Sequence, residues 1–363
     1  MGCGRSNQFE APGNPEGIHI QLKALVICNA GPALGLGHLA RALRVACGLT
    51  KRLGALVTVS VLGPEISYGS REDVQVQFIE NSGSNLKASL LEVNHPNLVL
   101  LDLAPHQLPS DLSEFLSHAR ERGIKLIGID GLLRLQDQLD LVFIPSFRSP
   151  ALPESNSRGT RIVYGWDCFL LDDIQESPPW QPGSRVLALT GGGDTTSLGA
   201  SWPCLLNSRL PDGTELNWVT GPYSNAPLLP EVPRVKIANH AAPRGLQHLM
   251  ASTNYAVTVY GVSFFELLQF GVPTVVFSPY GDKDDLELQE IEREEVALVA
   301  RDKVDATEKL VSLMSNDELA HRLSRSARQK LRSSGIDRLC SEVSLLMSES
   351  SRYPKSNQPP DAA

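Results

Sequence analysis

Three short stretches place glycines beside residues able to move a proton or hold an anion: GPALGLGHLARALRVACGL (31–49), GGGDTTSLG (191–199) and YGVSFFELLQFGVP (260–273). Each follows an apolar run (KALVICN, VLALT, YAVTV) and leads into a helical pattern. Each is therefore expected at the carboxyl end of a strand, where backbone N–H groups of a helix start favour negative charge. In the first stretch, Gly35 and Gly37 form the turn from which His38 enters the helix. The helix dipole there favours a neutral imidazole able to accept a proton, which is what a general base needs. A histidine in such a turn also serves as a cap or packing group. Arg41, one turn on, is placed to stay solvated, to pair with a carboxylate or to face a phosphate.

In the second stretch Gly191, Gly192 and Gly193 let backbone N–H groups converge on an oxygen-rich ligand, where a bare turn needs one glycine. Asp194 or Thr195 can cap the helix that follows. In the third, Tyr260, Gly261, Val262 and Ser263 open a helix whose free N–H groups suit a diphosphate. Glu266, one turn in, can accept two hydroxyl hydrogen bonds, as from a ribose, or simply complement the helix dipole.

Several other chemistries are disfavoured. Gly35, Gly37 and Ala40 imitate the dinucleotide fingerprint G-x-G-x-x-A, with Glu65 after the second strand. The apolar strand ends near Asn29, however, and that fingerprint needs its first glycine directly after the strand. No G-K-[ST] follows the glycines, and G-V-S-F-F lacks the final glycine of a nucleophile elbow. No His/Cys/carboxylate cluster stands at metal-ligand spacing in these motifs, and the acidic run from Asp282 to Asp285 reads as a solvated face. Neither a metal nor a cofactor is expected.

The elements that must position these turns alternate between apolar β runs and helical patterns, the grammar of parallel sheets covered by helices. Residues 1–22 read as a disordered lead-in, 23–150 as one Rossmann-like domain and 151–184 as a Pro/Ser/Gly-rich connection. Residues 185–347 read as a second Rossmann-like domain and 348–363 as a polar, Pro-rich disordered tail. The fold class expected is α/β, two such domains facing a cleft into which both sheets point their carboxyl ends.

The 363 residues are 42% hydrophobic, enough for two cores, and the formal charge of −8 with scattered basic residues leaves no footprint for nucleic acid. Six cysteines never form a C-x-x-C pair, which favours a reducing cytoplasm. No apolar run reaches the ~18–20 residues that span a bilayer, so stable membrane insertion is not expected. MGCGRS fits the N-myristoylation pattern at Gly2 and Ser6, with Cys3 as a possible palmitoyl acceptor, although so short a pattern recurs by chance.

Taken in order, GLGHLAR, LLDLA and LIGIDG, YGWDCFLL, LALTGGGDTT, WVTGP and YGVSFFELLQFGVP resemble the UDP-sugar hydrolases of the pseudaminic acid pathway and their spore-coat polysaccharide relatives. Those proteins are in turn similar to the GT-B glycosyltransferases that make the lipid-linked peptidoglycan disaccharide. The resemblance covers about residues 23–300. It implies a GT-B architecture with the nucleotide on the second domain, and a UDP-sugar as substrate. It further implies that His38 activates water for inverting attack at the anomeric carbon, Gly261 to Ser263 hold the diphosphate and Glu266 holds the ribose. The strand-end carboxylates Asp102 and Asp130 join Gly35, Gly37, Arg41, Gly191 to Gly193 and Asp194 as substrate-binding candidates. The chain departs from the family where an Asn-Gln pair gives way to YGDKDDLELQEIEREE, and where Asp102 is followed by Leu103-Ala104 in place of a tyrosine at the second position. Two alternatives keep the same site: a glycosyltransferase passing the sugar to an acceptor hydroxyl, and a non-catalytic nucleotide-sugar sensor, which would not need His38.

Overall fold

The computed structural model describes residues 21–31, 34, 36–65, 74–79, 86, 88–149, 159–172, 178–194, 196–243 and 245–352. Gly35, Thr195 and the Gly2/Cys3 pattern lie outside them. In the first domain the chain runs β1 (Lys23–Asn29), α1 (Gly37–Leu53), β2 (Leu56–Leu62), β3 (Gln75–Ile79), α2 (Ser89–Asn94), β4 (Leu98–Asp102), α3 (Leu112–Glu121), β5 (Lys125–Ile129), β6 (Leu141–Ile144) and β7 (Arg161–Tyr164). Among the described residues these strands form one parallel sheet in the order β3-β2-β1-β4-β5-β6-β7.

The second domain runs β8 (Arg185–Leu189), α4 (Trp202–Arg209), β9 (Glu215–Thr220), β10 (Lys236–Ala241), α5 (Gln247–Ala251), β11 (Tyr255–Val259), α6 (Val262–Phe270), β12 (Thr274–Phe277), α7 (Asp285–Arg293), β13 (Leu298–Val299), α8 (Lys303–Met314) and α9 (Asp317–Lys330), followed by α10 (Gly335–Arg352). Its sheet, also parallel, has the order β10-β9-β8-β11-β12-β13. The strand order reverses direction between β1 and β4 in the first sheet and between β8 and β11 in the second. Crevices open beyond the strand ends at such switch points.

Sequence explains the layering. β4 and β11 are buried at every position, as strands covered by helices on both faces must be. In the first domain Val26, Leu100 and Phe143 meet one helical layer, while Leu25, Val99 and Leu101 meet the other. Helix α1 buries Leu39, Ala42, Leu43, Val45, Ala46 and Leu49 on its sheet-facing side. It stops at Gly54, whose left-handed conformation (φ 62°) lets its N–H reach back to Leu49 and Thr50 carbonyls.

Two features depart from the segment boundaries read in the sequence. Residues 161–164, expected in the connection, pair with β6 as the edge strand of the first sheet. Helix α10, expected to close the second domain and end at 347, continues to Arg352 and returns to the first domain. There Ile336, Leu339, Cys340 and Val343, spaced for one helix face, enter the first core. A Cβ on Gly48 of α1 would overlap the Ile336 side chain, and Arg52 pairs with Asp337. A hydrophobic stretch carried by four separate aromatics joins the domains: Phe147 stacks on Trp166 at 4.5 Å between centroids, and Phe169 stacks on Phe265 at 3.9 Å.

Candidate active site

His38 sits in the first turn of α1, beside the β1/β4 switch point, and Asp102 is the last residue of β4. Their side chains meet, His38 Nδ1 to Asp102 Oδ1 at 2.7 Å. Arg41 grips the same carboxylate with two donors, Nε to Oδ2 at 2.7 Å and Nη2 to Oδ1 at 2.6 Å, and sends Nη1 to Asp130 Oδ2 at 2.9 Å. Asp102 is fully buried, while His38 keeps 20% of its side chain exposed. The carboxylate is therefore a support behind the histidine, with no face toward a ligand. Asp130, 47% exposed and in a left-handed backbone conformation (φ 66°) that aspartate tolerates, remains open to the cleft.

The electrostatics of this network follow from burial against charge. Burial alone would push the Asp102 carboxyl up, but the Arg41 guanidinium, its hydrogen bonds and the His38 contact outweigh burial and hold the carboxyl below its ordinary value. Burial likewise opposes the charge on Arg41, and Asp102 and Asp130 overcome it. An ionised carboxylate only accepts hydrogen bonds, so the proton of a neutral His38 belongs on Nδ1 and the lone pair on Nε2. The exit of β4 is pinned as well, because Ala104 N–H donates to the buried side chain of Asn29 at 2.9 Å.

In the second domain both remaining glycine turns flank the β8/β11 switch point. Gly191 to Gly193 follow β8, with Gly191 at φ 84°. This turn is braced from β9: a Cβ on Gly221 would overlap the carbonyl oxygens of Gly191 and Gly192, and Tyr223 N–H donates to Gly192 O at 3.0 Å. Asp194 accepts from the N–H groups of Leu198 and Gly199, both at 2.8 Å, so it caps the short 3-10 turn Leu198–Ala200 that precedes α4. Gly261 precedes α6, which has no side-chain cap among the described residues, leaving the N–H groups at Val262 and Ser263 facing the cleft end of β11. Tyr260 closes the turn with its ring edge-on to Phe265 at 5.8 Å. Burial pushes its hydroxyl up, helped by the charges of Glu287, Asp284 and Asp130.

Glu266 lies on α6, and its Oε1 accepts from Nη2 of Arg44, a residue of α1. Arg44 also donates from Nε to Asp172 Oδ2 at 3.0 Å. A second pair, Arg148 to Glu287 at 2.6 Å, crosses from the segment after β6 to α7. The acidic stretch of the sequence is therefore only partly a solvated face, since Asp284 also accepts from Ser278 Oγ at 2.5 Å.

The structure thus gathers His38, Arg41, Asp102 and Asp130 at one switch point. Tyr260, Gly261, Val262, Ser263 and Glu266 cluster at one helix start of the other domain, beside Gly191 to Gly193. Arg44, Asp172, Asn29 and Arg148 were not singled out in the sequence. Arg44 stands one turn past Arg41, but its partners lie 128 and 222 residues away, and no local pattern reports such pairing. Among the described residues no group of His, Cys, Asp and Glu is arranged to hold a metal, and no helix is long and apolar enough to cross a membrane.

No protein-family model and no curated protein matches the chain in sequence. Solved structures do match. The spinosyn forosaminyltransferase SpnP superposes with a TM-score of 0.64 at 12% identity, covering 90% of this chain and all (100%) of that one. UGT2 of Phytolacca americana, solved with UDP-2-fluoro-glucose and pterostilbene, gives 0.60 at 14% identity over 93% and 100% of the two chains. MurG of Acinetobacter baumannii gives 0.59 at 15% identity over 89% and 99%. Likeness of whole chains at such low identity is likeness of architecture, and with two parallel α/β sheets turned to one cleft, the chain has the GT-B fold.

Proposed function

We propose that the protein is an enzyme acting on a UDP-sugar, displacing UDP from the anomeric carbon with inversion. The observation that carries this reading is the His38–Asp102 pair, a partly exposed imidazole backed by a buried carboxylate at a switch point. In the step proposed, Nε2 of His38 takes the proton of the attacking hydroxyl as its oxygen bonds to the anomeric carbon. The bond from that carbon to the diphosphate oxygen breaks with its electron pair on UDP. Asp102 keeps the ring oriented and stabilises the imidazolium that forms. General-base assistance of this kind contributes ~10²–10⁴-fold. Charge gathering on the diphosphate falls to the N–H groups that open α6 and to the 191–193 turn. Arg41, whose donors go to Asp102 and Asp130, serves in this step to hold Asp102 ionised. Glu266 takes the ribose diol.

Water as the nucleophile, hence hydrolysis, is supported only by the resemblance of the ordered sequence motifs to the pseudaminic acid pathway hydrolases. An acceptor hydroxyl is supported by the fold's likeness to SpnP, UGT2 and MurG. A panel of UDP-sugars incubated with and without acceptor extracts, with UDP release measured, separates the two. Release without acceptor is the expected result; strict acceptor dependence makes the protein a transferase. Release from none of the sugars under either condition, or a folded His38→Ala protein turning over at the wild-type rate, overturns the proposal.

A further inference from the structure

Helix α1 carries the proposed base on its first turn and Arg44 six residues later, and Arg44 leaves its own domain. Its Nη2 donates to Glu266 Oε1 on α6, and its Nε donates to Asp172 Oδ2 in the segment that crosses between the domains. The three side chains are 12%, 17% and 27% exposed, in the order Arg44, Glu266 and Asp172, so salt and water screen them weakly. A plain tie between domains needs one carboxylate. Here Asp172 takes Nε, which fixes the plane of the guanidinium fork and aims Nη2 at Glu266. Glu266 gives up only one oxygen to it: Oε2 has no hydrogen-bond partner among the described residues, and a carboxylate offers about four acceptor sites in all. The pairing thus leaves the carboxylate oriented and still able to accept.

We propose that Arg44 is a positioning residue for the nucleotide. Held from the first domain, the Glu266 carboxylate is set to meet the ribose diol of a nucleoside diphosphate, and that grip depends on the two domains being together. The inference rests on the reading of Glu266 given above. By linkage, whatever affinity the nucleotide gains from the closed arrangement, the closed arrangement gains from the nucleotide.

The test uses calorimetric dissociation constants for UDP and 2′-deoxy-UDP, with melting temperature recorded for every protein. Wild type is expected to prefer UDP by ~10-fold or more, the worth of one hydrogen bond to a charged group. Arg44→Met is expected to weaken UDP about tenfold and bring the ratio of the two constants toward one, with 2′-deoxy-UDP less affected. Arg44→Lys, which keeps the charge without the fork, recovers part of the preference. A folded Arg44→Met protein with the wild-type ratio overturns the inference, whatever its melting temperature, because a merely structural tie would not discriminate the 2′-hydroxyl. Should Arg44→Met not fold, Asp172→Asn carries the same test with the same two outcomes. Wild type that fails to bind UDP, or Glu266→Ala that binds both nucleotides as wild type does, overturns the reading of Glu266 itself.

Discussion

Replacing Asp102 by asparagine keeps the side chain's shape and removes its charge. The carboxylate receives three hydrogen bonds, one from His38 and two from Arg41, at 2.6–2.7 Å. Asparagine has one oxygen and one amide nitrogen. With the oxygen in the place of Oδ1, the bonds from His38 and Arg41 Nη2 survive, but the amide then points its donors at Arg41 Nε. Flipped, it loses both surviving bonds. The better arrangement therefore still costs one bond and the fully buried counter-charge of an Arg41 side chain that is 14% exposed. Breaking such a pair from one side costs ~3–5 kcal/mol. Because Asp130 still partners Nη1, the lower end applies, about 3 kcal/mol, or a fall in melting temperature of roughly 6–12 °C for a domain of this size. Turnover should also fall, within the ~10²–10⁴ span of general-base assistance, because the imidazolium loses its charged support. His38→Ala separates the two effects: it leaves the Arg41–Asp102 pair intact, so it should lose the same turnover with little loss of stability. Thermal melts and UDP release read both quantities, and the double variant should be hardly slower than His38→Ala alone, since the pair acts as a unit. An Asp102→Asn protein that melts and turns over like wild type would refute the buried dyad.

Glu266→Ala should weaken UDP binding by ~1.5–3 kcal/mol, the worth of hydrogen bonds to a charged group, as calorimetry can measure. Since Asp102 is held below the ordinary carboxyl value, its stabilising contribution is complete above the unfolded value of about 3.9 and is lost as pH falls through the lower folded value. The stability gap between wild type and Asp102→Asn, followed by chemical denaturation, should accordingly hold through the neutral range and narrow only below about pH 4; a gap already closed at neutral pH would contradict the depressed carboxyl. Gly221→Ala places a methyl against two carbonyl oxygens of the 191–193 turn, so it should lower stability by at least ~1 kcal/mol and weaken binding of an intact UDP-sugar; an unchanged melt would show that turn to be yielding. Turnover should persist in EDTA, and restoration by magnesium after a loss would require a metal that the proposed step does not use.

Most of the fold was legible because parallel strands buried on both faces are continuous apolar runs, as in LVLLD and YAVTV, and because Gly37, Gly191 and Gly261 mark where strands hand over to helices. What escaped was set by tertiary contact. RIVY is too short and too polar at its ends to announce the edge strand it becomes. Ile336, Leu339, Cys340 and Val343 have the spacing of one helix face, but spacing alone does not say which domain covers it. His38 was visible as a candidate base from its turn, whereas the burial of Asp102 behind it depends on Cys28 and Asp102 standing side by side in β1 and β4, a register that a single sequence does not print. Arg41 was read with its partner left open, and the two carboxylates it meets are brought to it by separate strands, which no local pattern reports.

The return of α10 to α1 bears on how the molecule is made. A ribosome delivers the first sheet early, but the outer side of α1 around Gly48 waits for Ile336 and its neighbours, almost three hundred residues later. The first of the two domains is thus completed only after the second, and until α10 emerges it presents an apolar groove of the kind that recruits chaperones and promotes misassembly. Truncations that spare His38, Asp102 and Glu266 but remove 335–352 should therefore injure the half of the protein that carries His38, while leaving the half that carries Glu266 whole.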